Sequence, residues 1–315
     1  MPADFAPGQW AVILGGSSGF GLASAQALAD HGMNLCIVHR DRRSQLARIE
    51  PEFEKLRGSG VAVQIHNTDA LAAVKRGAVL DSLADALGEG RVRVLLHSIA
   101  FGNLKPLAPP PTRATRDATQ KLAAALGLEE KRVQGALDEL FETGATDAHP
   151  LASPPRYSET DFLEEEDFAR TIFNMGTSLL GWVQETFERK LFADDARIFG
   201  LTSEGNQVAW RGYAAVAAAK AALESLARSI AVEYAPYGIR CNVIQAGITP
   251  TPALAAIPGS DHMKAQASMR NPFHRLTTPR DVANEIYLLS LDEAAWVNGA
   301  VIRVDGGEHI SGVSE

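Results

Sequence analysis

The stretch "WAVILGGSSGFGLASAQALADHG", residues 10–32, decides the fold. It opens on an apolar run of the kind a buried strand needs. A glycine cluster follows, with Gly15, Gly19 and Gly21 spaced as G-x3-G-x-G. The remainder carries the period of a helix, and Gly32 is placed to stop it. Strand, glycine turn and helix, in that order, begin a βαβ unit. The alternation continues outward. "MNLCIVH" (33–39), "VAVQIH" (61–66) and "VRVLLHS" (92–98) read as strands, with helical segments at 43–57 and 71–87. Later come a long helix at 165–192, a strand "ARIFGLTS" (196–203), a helix over 213–235 and a strand "RCNVIQAG" (240–247). A helix at 280–290 and a strand "AVIRVDGG" (300–307) complete the series. This pattern predicts an α/β fold: a doubly wound parallel sheet with helices on both faces.

The rhythm breaks after residue 102. "NLKPLAPPPT" (103–112) is a proline-rich connector, and two helical patterns follow at 113–126 and 129–142. The second places Val133, Leu137, Leu140 and Phe141 on one face. A second loop rich in turn formers leads back to the alternation. Residues 103–160 therefore read as a helical insertion after the fourth strand, within one domain spanning 1–315.

Composition narrows the function classes. Of 315 residues, 46% are hydrophobic and 22% charged, as in ordinary soluble proteins. No apolar run reaches the ~20 residues of a membrane span, and the first residues lack the pattern of a signal peptide. Cys36 and Cys241 sit in apolar strand-like runs and read as buried free thiols. These features point to a cytoplasmic protein. A formal charge of −8 argues against non-specific nucleic-acid binding. The histidines show no metal-ligand spacing, so no metal is expected.

The glycine turn carries the first chemistry. Glycines there allow a tight turn and close backbone approach to a pyrophosphate, and the helix N-terminus offers free N–H groups to the anion. The second strand runs into "VHRDRRS", with His39, Arg40, Arg42 and Arg43 outnumbering Asp41. An acidic residue there would bind a ribose 2′-hydroxyl, whereas arginine binds a 2′-phosphate. The cations favour NADP(H), although some of them serve only as solvated surface.

With "NTDA" after the third strand, "HSIA" after the fourth, "AGITPT" after the sixth and "VIRVDGG" at the end, the chain resembles the short-chain dehydrogenases/reductases. The resemblance covers about residues 9–102 and 160–307 and implies a Rossmann fold. It implies cofactor contacts from Gly15, Ser17, Ser18, Gly19, Phe20 and Gly21 in the glycine loop, and from His39, Arg40 and Arg43. Asp69 and Ala70 resemble the adenine-binding segment. Ser98, Ile99 and Ala100 follow the fourth strand, Gly247, Ile248 and Thr251 the sixth, and Lys220 is the ribose-binding lysine. Pro250 departs from the polar residue usual beside Thr251.

Within that family, "RGYAAVAAAK" (211–220) resembles the enoyl-acyl carrier protein reductases. The common family spacing is Tyr-x3-Lys, but that position holds Val216. Tyr213 instead gives Tyr-x6-Lys. Ser203, seventeen before the lysine, matches the NADPH-dependent FabL type, and Asn174 matches the family's helix asparagine. The resemblance implies catalytic roles for Tyr213, Lys220, Ser203 and Asn174. Ser203 is read as a donor to substrate or tyrosine, or as a strand end; His97 is read as structural.

The spacing has a mechanical meaning. Both spacings keep Tyr and Lys on one helix face, but x6 adds three residues, ~4.5 Å of rise. The hydroxyl then meets an oxygen displaced from the carbon that takes hydride. This suits conjugate reduction, in which charge builds on a thioester oxygen while hydride goes to the β-carbon. The expected substrate is an enoyl thioester on acyl carrier protein or CoA. The alternatives are a ketoreductase or alcohol dehydrogenase of the same family, and a non-catalytic NADP(H)-binding sensor. Arg113, Arg116, Lys121, Lys131 and Arg132 are candidates for a carrier dock or a solvated face. Family likeness implies a homo-oligomer, dimer or tetramer, built on helices 165–192 and 213–235.

Overall fold

The computed structural model describes residues 4–110 and 117–312. The first half of the sheet is built from β1 (Gln9–Leu14), α1 (Gly19–Asp30), β2 (Asn34–His39), α2 (Arg43–Arg57), β3 (Val63–Asn67), α3 (Ala73–Leu87) and β4 (Arg91–His97). The insertion contributes α4 (Asp117–Leu126) and α5 (Glu130–Glu142). The second half comprises α6 (Glu165–Ile172), α7 (Ser178–Glu188), β5 (Phe192–Ser203), α8 (Ala214–Glu233), β6 (Arg240–Ala246), α9 (Pro252–Ala255), α10 (Ser260–Arg270), α11 (Pro279–Ser290) and β7 (Val301–Val304). All seven strands are parallel, in the order β3-β2-β1-β4-β5-β6-β7. The order reverses between β1 and β4, and in such sheets ligands bind at the strand C-termini there.

The apolar strands feed two cores because successive side chains point to opposite faces. Trp10, Val12 and Leu14 of β1 join Leu80, Leu83, Trp182, Val183 and Leu223 on one face. Ala11 and Ile13 join Leu28, Phe53, Val282 and Ile286 on the other. Cys36 and Cys241 are buried and free, and desolvation pushes the Cys36 thiol up to about 12.

Two arginines interrupt the apolar strands with a purpose. Arg93 and Arg197, only 3% and 1% exposed, cross to the end of α11. Arg93 donates to the Ser290 carbonyl, with one bond of 3.0 Å, and to Asp195 and Asp292 at 2.7 Å each. Arg197 donates to the Leu289 carbonyl at 3.3 Å. Cations thus satisfy carbonyls that the helix end leaves open, at the negative end of its dipole.

The structure corrects several element bounds. The helix expected over 165–192 is broken by a π-helical turn at Phe173–Thr177, and α7 ends at Glu188. Lys190 takes a left-handed φ of 56° after it. β5 therefore starts at Phe192, four residues ahead of the expected 196, with its register shifted against β4 between Val92 and Val94. The third strand lies at Val63–Asn67, not 61–66, and the last ends at Val304 before a turn. Two helices, α9 and α10, lie where none was expected. In α5, Val133 is buried but Leu140 is 52% exposed, so the expected apolar face is only partly used.

The insertion spans the mouth of the sheet's C-terminal end. At one side the Phe141 ring lies 4.7 Å from the ring of His262 in α10, whose Nε2 is 3.0 Å from the Ser153 carbonyl oxygen. At the other, Arg211 donates to the Ala108 carbonyl at 3.0 Å and its guanidinium sits 5.7 Å from the Tyr157 ring centroid. Lys105 anchors the first loop of the insertion by ion pairs to Asp161 and Asp167 at 2.9 and 3.0 Å.

Candidate active site

The glycine turn forms as its spacing requires. Gly15 takes φ +84°, and a Cβ there would lie 2.4 Å from the Ser98 carbonyl oxygen at the end of β4. A Cβ on Gly21 would lie 2.2 Å from the Gly15 oxygen. Both positions demand close backbone approach. Ser18 is the N-cap of α1 in an extended conformation, with no side-chain cap bond. The first turn carries no acidic residue. The helix thus presents unfilled N–H donors toward the switch point, the arrangement that receives a phosphate. Gly19, at φ +53°, abuts the Thr251 side chain. Ser17 lies half-buried in the same turn, and Phe20 lines the cavity above it.

At the other end of this groove stand the residues after β2 and β3. Arg40 is about half exposed, ion-pairs with Asp69 at 3.2 Å and places its guanidinium 4.7 Å from the Phe101 ring centroid. Asp69 also accepts the Leu71 N–H at 3.0 Å, and the Ala70 carbonyl accepts the Trp182 indole N–H at 2.9 Å. Arg43 is exposed at the start of α2. His39 stands apart from this group. Its side chain is buried against Phe53 and its Nδ1 is 2.8 Å from an Asp41 oxygen, so it props the turn rather than facing the groove.

A cavity of about 330 Å³, with Phe20 in its lining, brings about half of the expected site residues together. Ser98, Ile99, Ala100, Ser203, Tyr213, Lys220, Gly247, Ile248 and Thr251 all line it. Tyr213 is the N-cap of α8. Its hydroxyl lies 3.2 Å from the Ser203 hydroxyl, so Ser203 both ends β5 and meets the tyrosine. Gly205 makes room for the ring, since a Cβ there would lie 2.4 Å from Tyr213 Cε1. Burial raises the Tyr213 pKa, against an opposing effect of the Ser203 bond, and the phenol stays protonated at neutral pH. Val216, buried, lines the cavity at the place the commoner tyrosine would hold.

Lys220 is 7% exposed and donates to the Leu201 carbonyl at 2.8 Å. Burial pulls its pKa down to about 8, while the Glu224 charge one turn later opposes the shift. Glu224 in turn accepts from the Thr202 hydroxyl at 2.6 Å, tying the end of β5 to α8. Asn174 falls in the π-helical turn, a device that often marks functional sites. Its amide donates to the Phe101 carbonyl at 3.1 Å and so fixes the loop after β4. His97 is buried, with Nε2 2.9 Å from the Ser178 hydroxyl; Ser178 in turn donates to the Asn174 carbonyl at 2.9 Å. Desolvation, with the Lys220 charge second, lowers the His97 pKa to about 3 and keeps it neutral.

Sequence reasoning missed the rest of the lining. Leu104, Trp210, Leu254, Ile257 and Met263 make the rest of the cavity wall apolar. They come from the insertion, the turn before α8, and α9–α10, and nothing in their spacing marks them. Of the basic residues proposed for the insertion, Arg113 and Arg116 lie outside the described residues, and Lys121, Lys131 and Arg132 are exposed on α4 and α5.

The class is thus a Rossmann-type oxidoreductase, and comparison with known proteins agrees. A family model described as enoyl-(acyl carrier protein) reductase matches residues 114–309. The chain is 30% identical over 256 residues to cis-4-hydroxycyclohexanecarboxylate dehydrogenase of Sinomonas cyclohexanicum, covering 75% of this chain and 97% of that protein. It is 35% identical over 120 residues to 1-cyclohexenylcarbonyl-CoA reductase of Streptomyces collinus, covering 38% of this chain and 43% of that protein.

 The solved enoyl-[acyl-carrier-protein] reductase (NADH) from Aquifex aeolicus VF5 shares the fold, with a TM-score of 0.68 at 23% identity, over 98% of each chain. The chain belongs to the enoyl-(acyl carrier protein) reductase/short-chain dehydrogenase family. It is an oxidoreductase of the short-chain dehydrogenase/reductase type.

Proposed function

We propose that the protein is an NADPH-dependent enoyl-thioester reductase. The observation that carries this reading is the placement of Tyr213 at the start of α8, seven residues before Lys220, with Val216 lining the cavity between them. NADPH supplies the hydride, which adds to the β-carbon of the enoyl group. The electron pair of the double bond moves toward the thioester oxygen. The Tyr213 hydroxyl, held by Ser203, is positioned to donate a hydrogen bond to that oxygen as its charge develops. A solvent proton at the α-carbon completes the reduction. Lys220 would hold the ribose, and its ammonium would favour the anionic state. Arg40 and Arg43 would receive the 2′-phosphate, Arg40 by leaving Asp69.

The apolar wall of Leu104, Trp210, Ile257 and Met263 suits the acyl group, which would arrive on CoA or acyl carrier protein. Exposed Phe173 and Leu180 on the α6–α7 segment are consistent with a homo-oligomer built there, and light scattering would give its size. The second reading, a secondary-alcohol dehydrogenase, is favoured by the relative that dehydrogenates cis-4-hydroxycyclohexanecarboxylate. The test is nicotinamide absorbance with NADPH and an enoyl-CoA, with NADPH and a 3-ketoacyl-CoA, and with NADP⁺ and a cyclic secondary alcohol. Turnover is expected with the enoyl-CoA; turnover with only the keto or alcohol substrate replaces this reading with the second.

A further inference from the structure

Four segments meet behind the loop that follows β6. Glu204 comes directly after Ser203, Arg270 ends α10, Glu308 and His309 follow β7, and Ile248 belongs to the loop itself. Arg270 Nη2 donates to both Glu204 oxygens at 2.8 Å and reaches Glu308 Oε1 at 3.3 Å. The other Glu308 oxygen accepts the Ile248 N–H at 3.1 Å. His309 Nδ1 lies 3.5 Å from Glu204. Glu204 and Glu308 are 8% and 2% exposed.

Two buried carboxylates sharing one guanidinium make a poor stabilising device, because desolvation offsets the attraction. Their value lies in what they join. Glu204, Ile248 and Met263 of α10 all line the cavity, whereas Glu308 and Arg270 do not. Glu308 therefore grips the loop from outside, and the Ile248 N–H is committed to it. The fit around Glu308 is tight: a Cβ on Gly247 would lie 2.7 Å from its Oε2.

We propose that Glu308 is a positioning residue for cofactor binding. Its carboxylate fixes the Ile248 amide and, through Arg270 and Glu204, holds the β6 loop, α10 and the Ser203 strand end in one geometry. The inference rests on the nicotinamide cofactor alone and is independent of the acyl substrate.

The experiment is a fluorescence titration with NADPH, or with NADH if the wild type binds that form more tightly. It compares wild type, Glu308→Ala and Glu308→Gln, with thermal unfolding of each. Glu308→Ala is expected to weaken binding tenfold or more. Glu308→Gln keeps an oxygen that accepts the Ile248 N–H and is expected to stay within threefold of wild type. Unchanged binding in a folded Ala variant overturns the proposal, as does a tenfold loss in a folded Gln variant. Should the Ala variant fail to fold, Glu308→Asp takes its place: its shorter carboxylate withdraws from the Ile248 N–H, a threefold or larger loss of binding is expected, and unchanged binding overturns the proposal. A failed enoyl turnover assay leaves this binding readout untouched.

Discussion

The two ends of the candidate site are made of different material. The cofactor end is backbone: Gly15 against Ser98, Gly21 against Gly15, and the uncapped start of α1. The end that the proposed function gives to the acyl group is side chains: Leu104, Trp210, Ile257 and Met263, brought together from three separate parts of the chain. A backbone cradle fixes where a ligand's phosphates lie and tolerates little change. A side-chain wall can be rebuilt while the fold stays, which is how one family serves many substrates. The lesson is that damage to the two ends should separate in measurement, and four variants probe that separation.

The largest effect belongs to the residue where the ends meet. Tyr213→Phe removes the hydroxyl that the proposed mechanism aims at the developing charge. kcat is expected to fall by about 10²–10³, the scale of losing one preorganised oxyanion donor. NADPH affinity and the unfolding midpoint should hold. Steady-state kinetics on an enoyl-CoA checks this, and an unchanged kcat would break the assignment of Tyr213.

Lys220 comes next and is read through pH. Its pKa lies near 8 in the folded protein against an ordinary 10.5. Below pH 8 both folded and unfolded chains carry the charge, and the folded one bears its desolvation. Between 8 and 10.5 only the folded chain releases the proton, so its stability rises through that window. Lys220→Met lacks this dependence. The free variant is expected to be more stable than wild type by roughly 3 kcal/mol at pH 7, an advantage that vanishes above pH 10.5. Denaturant unfolding at several pH values checks it. In wild type, NADPH affinity should fall above pH 8 as the ammonium is lost.

The same contrast explains what the sequence disclosed. The cofactor end depends on neighbours in the chain, so Gly15, Gly19 and Gly21 announce it at fixed spacing. Tyr213 and Lys220 share one helix, and their relation is also local. His39 stands apart because strand alternation turns its side chain onto Phe53, while Arg40 after it is exposed. The π-helical turn at Asn174 arises where the α6–α7 segment meets α8: a Cβ on Gly176 would lie 2.7 Å from the Ala219 oxygen. That constraint is tertiary and leaves no period in the sequence. The Glu204–Arg270–Glu308 group joins residues up to 104 positions apart, and no spacing marks it.

Gly21→Ala tests the cofactor end by itself. The added methyl meets the Gly15 carbonyl at 2.2 Å, and backbone must move to relieve it. Overpacking of this kind costs about 1–3 kcal/mol. It should appear as weakened NADPH binding, with the KM for the acyl substrate little changed at saturating cofactor. Equal losses in both constants would show that the two ends are not separable.

The smallest effect is expected at the acyl end. Arg211 lies just before Tyr213 and ties the turn to the insertion through the Ala108 carbonyl and the Tyr157 ring. The side chain is exposed, so its cation–π contact is worth only about 0.5–1 kcal/mol. Arg211→Ala should raise the KM for an enoyl-CoA by about two- to fivefold, the range that energy allows, and leave NADPH affinity unchanged. The direction of the asymmetry is the point. Gly21→Ala moves the cofactor constant alone, and Arg211→Ala moves the acyl constant alone. A shift in NADPH affinity on losing Arg211 would mean that the insertion reaches through Tyr213 to the cofactor end, and the insertion would then be part of the cofactor machinery rather than a wall of the acyl pocket.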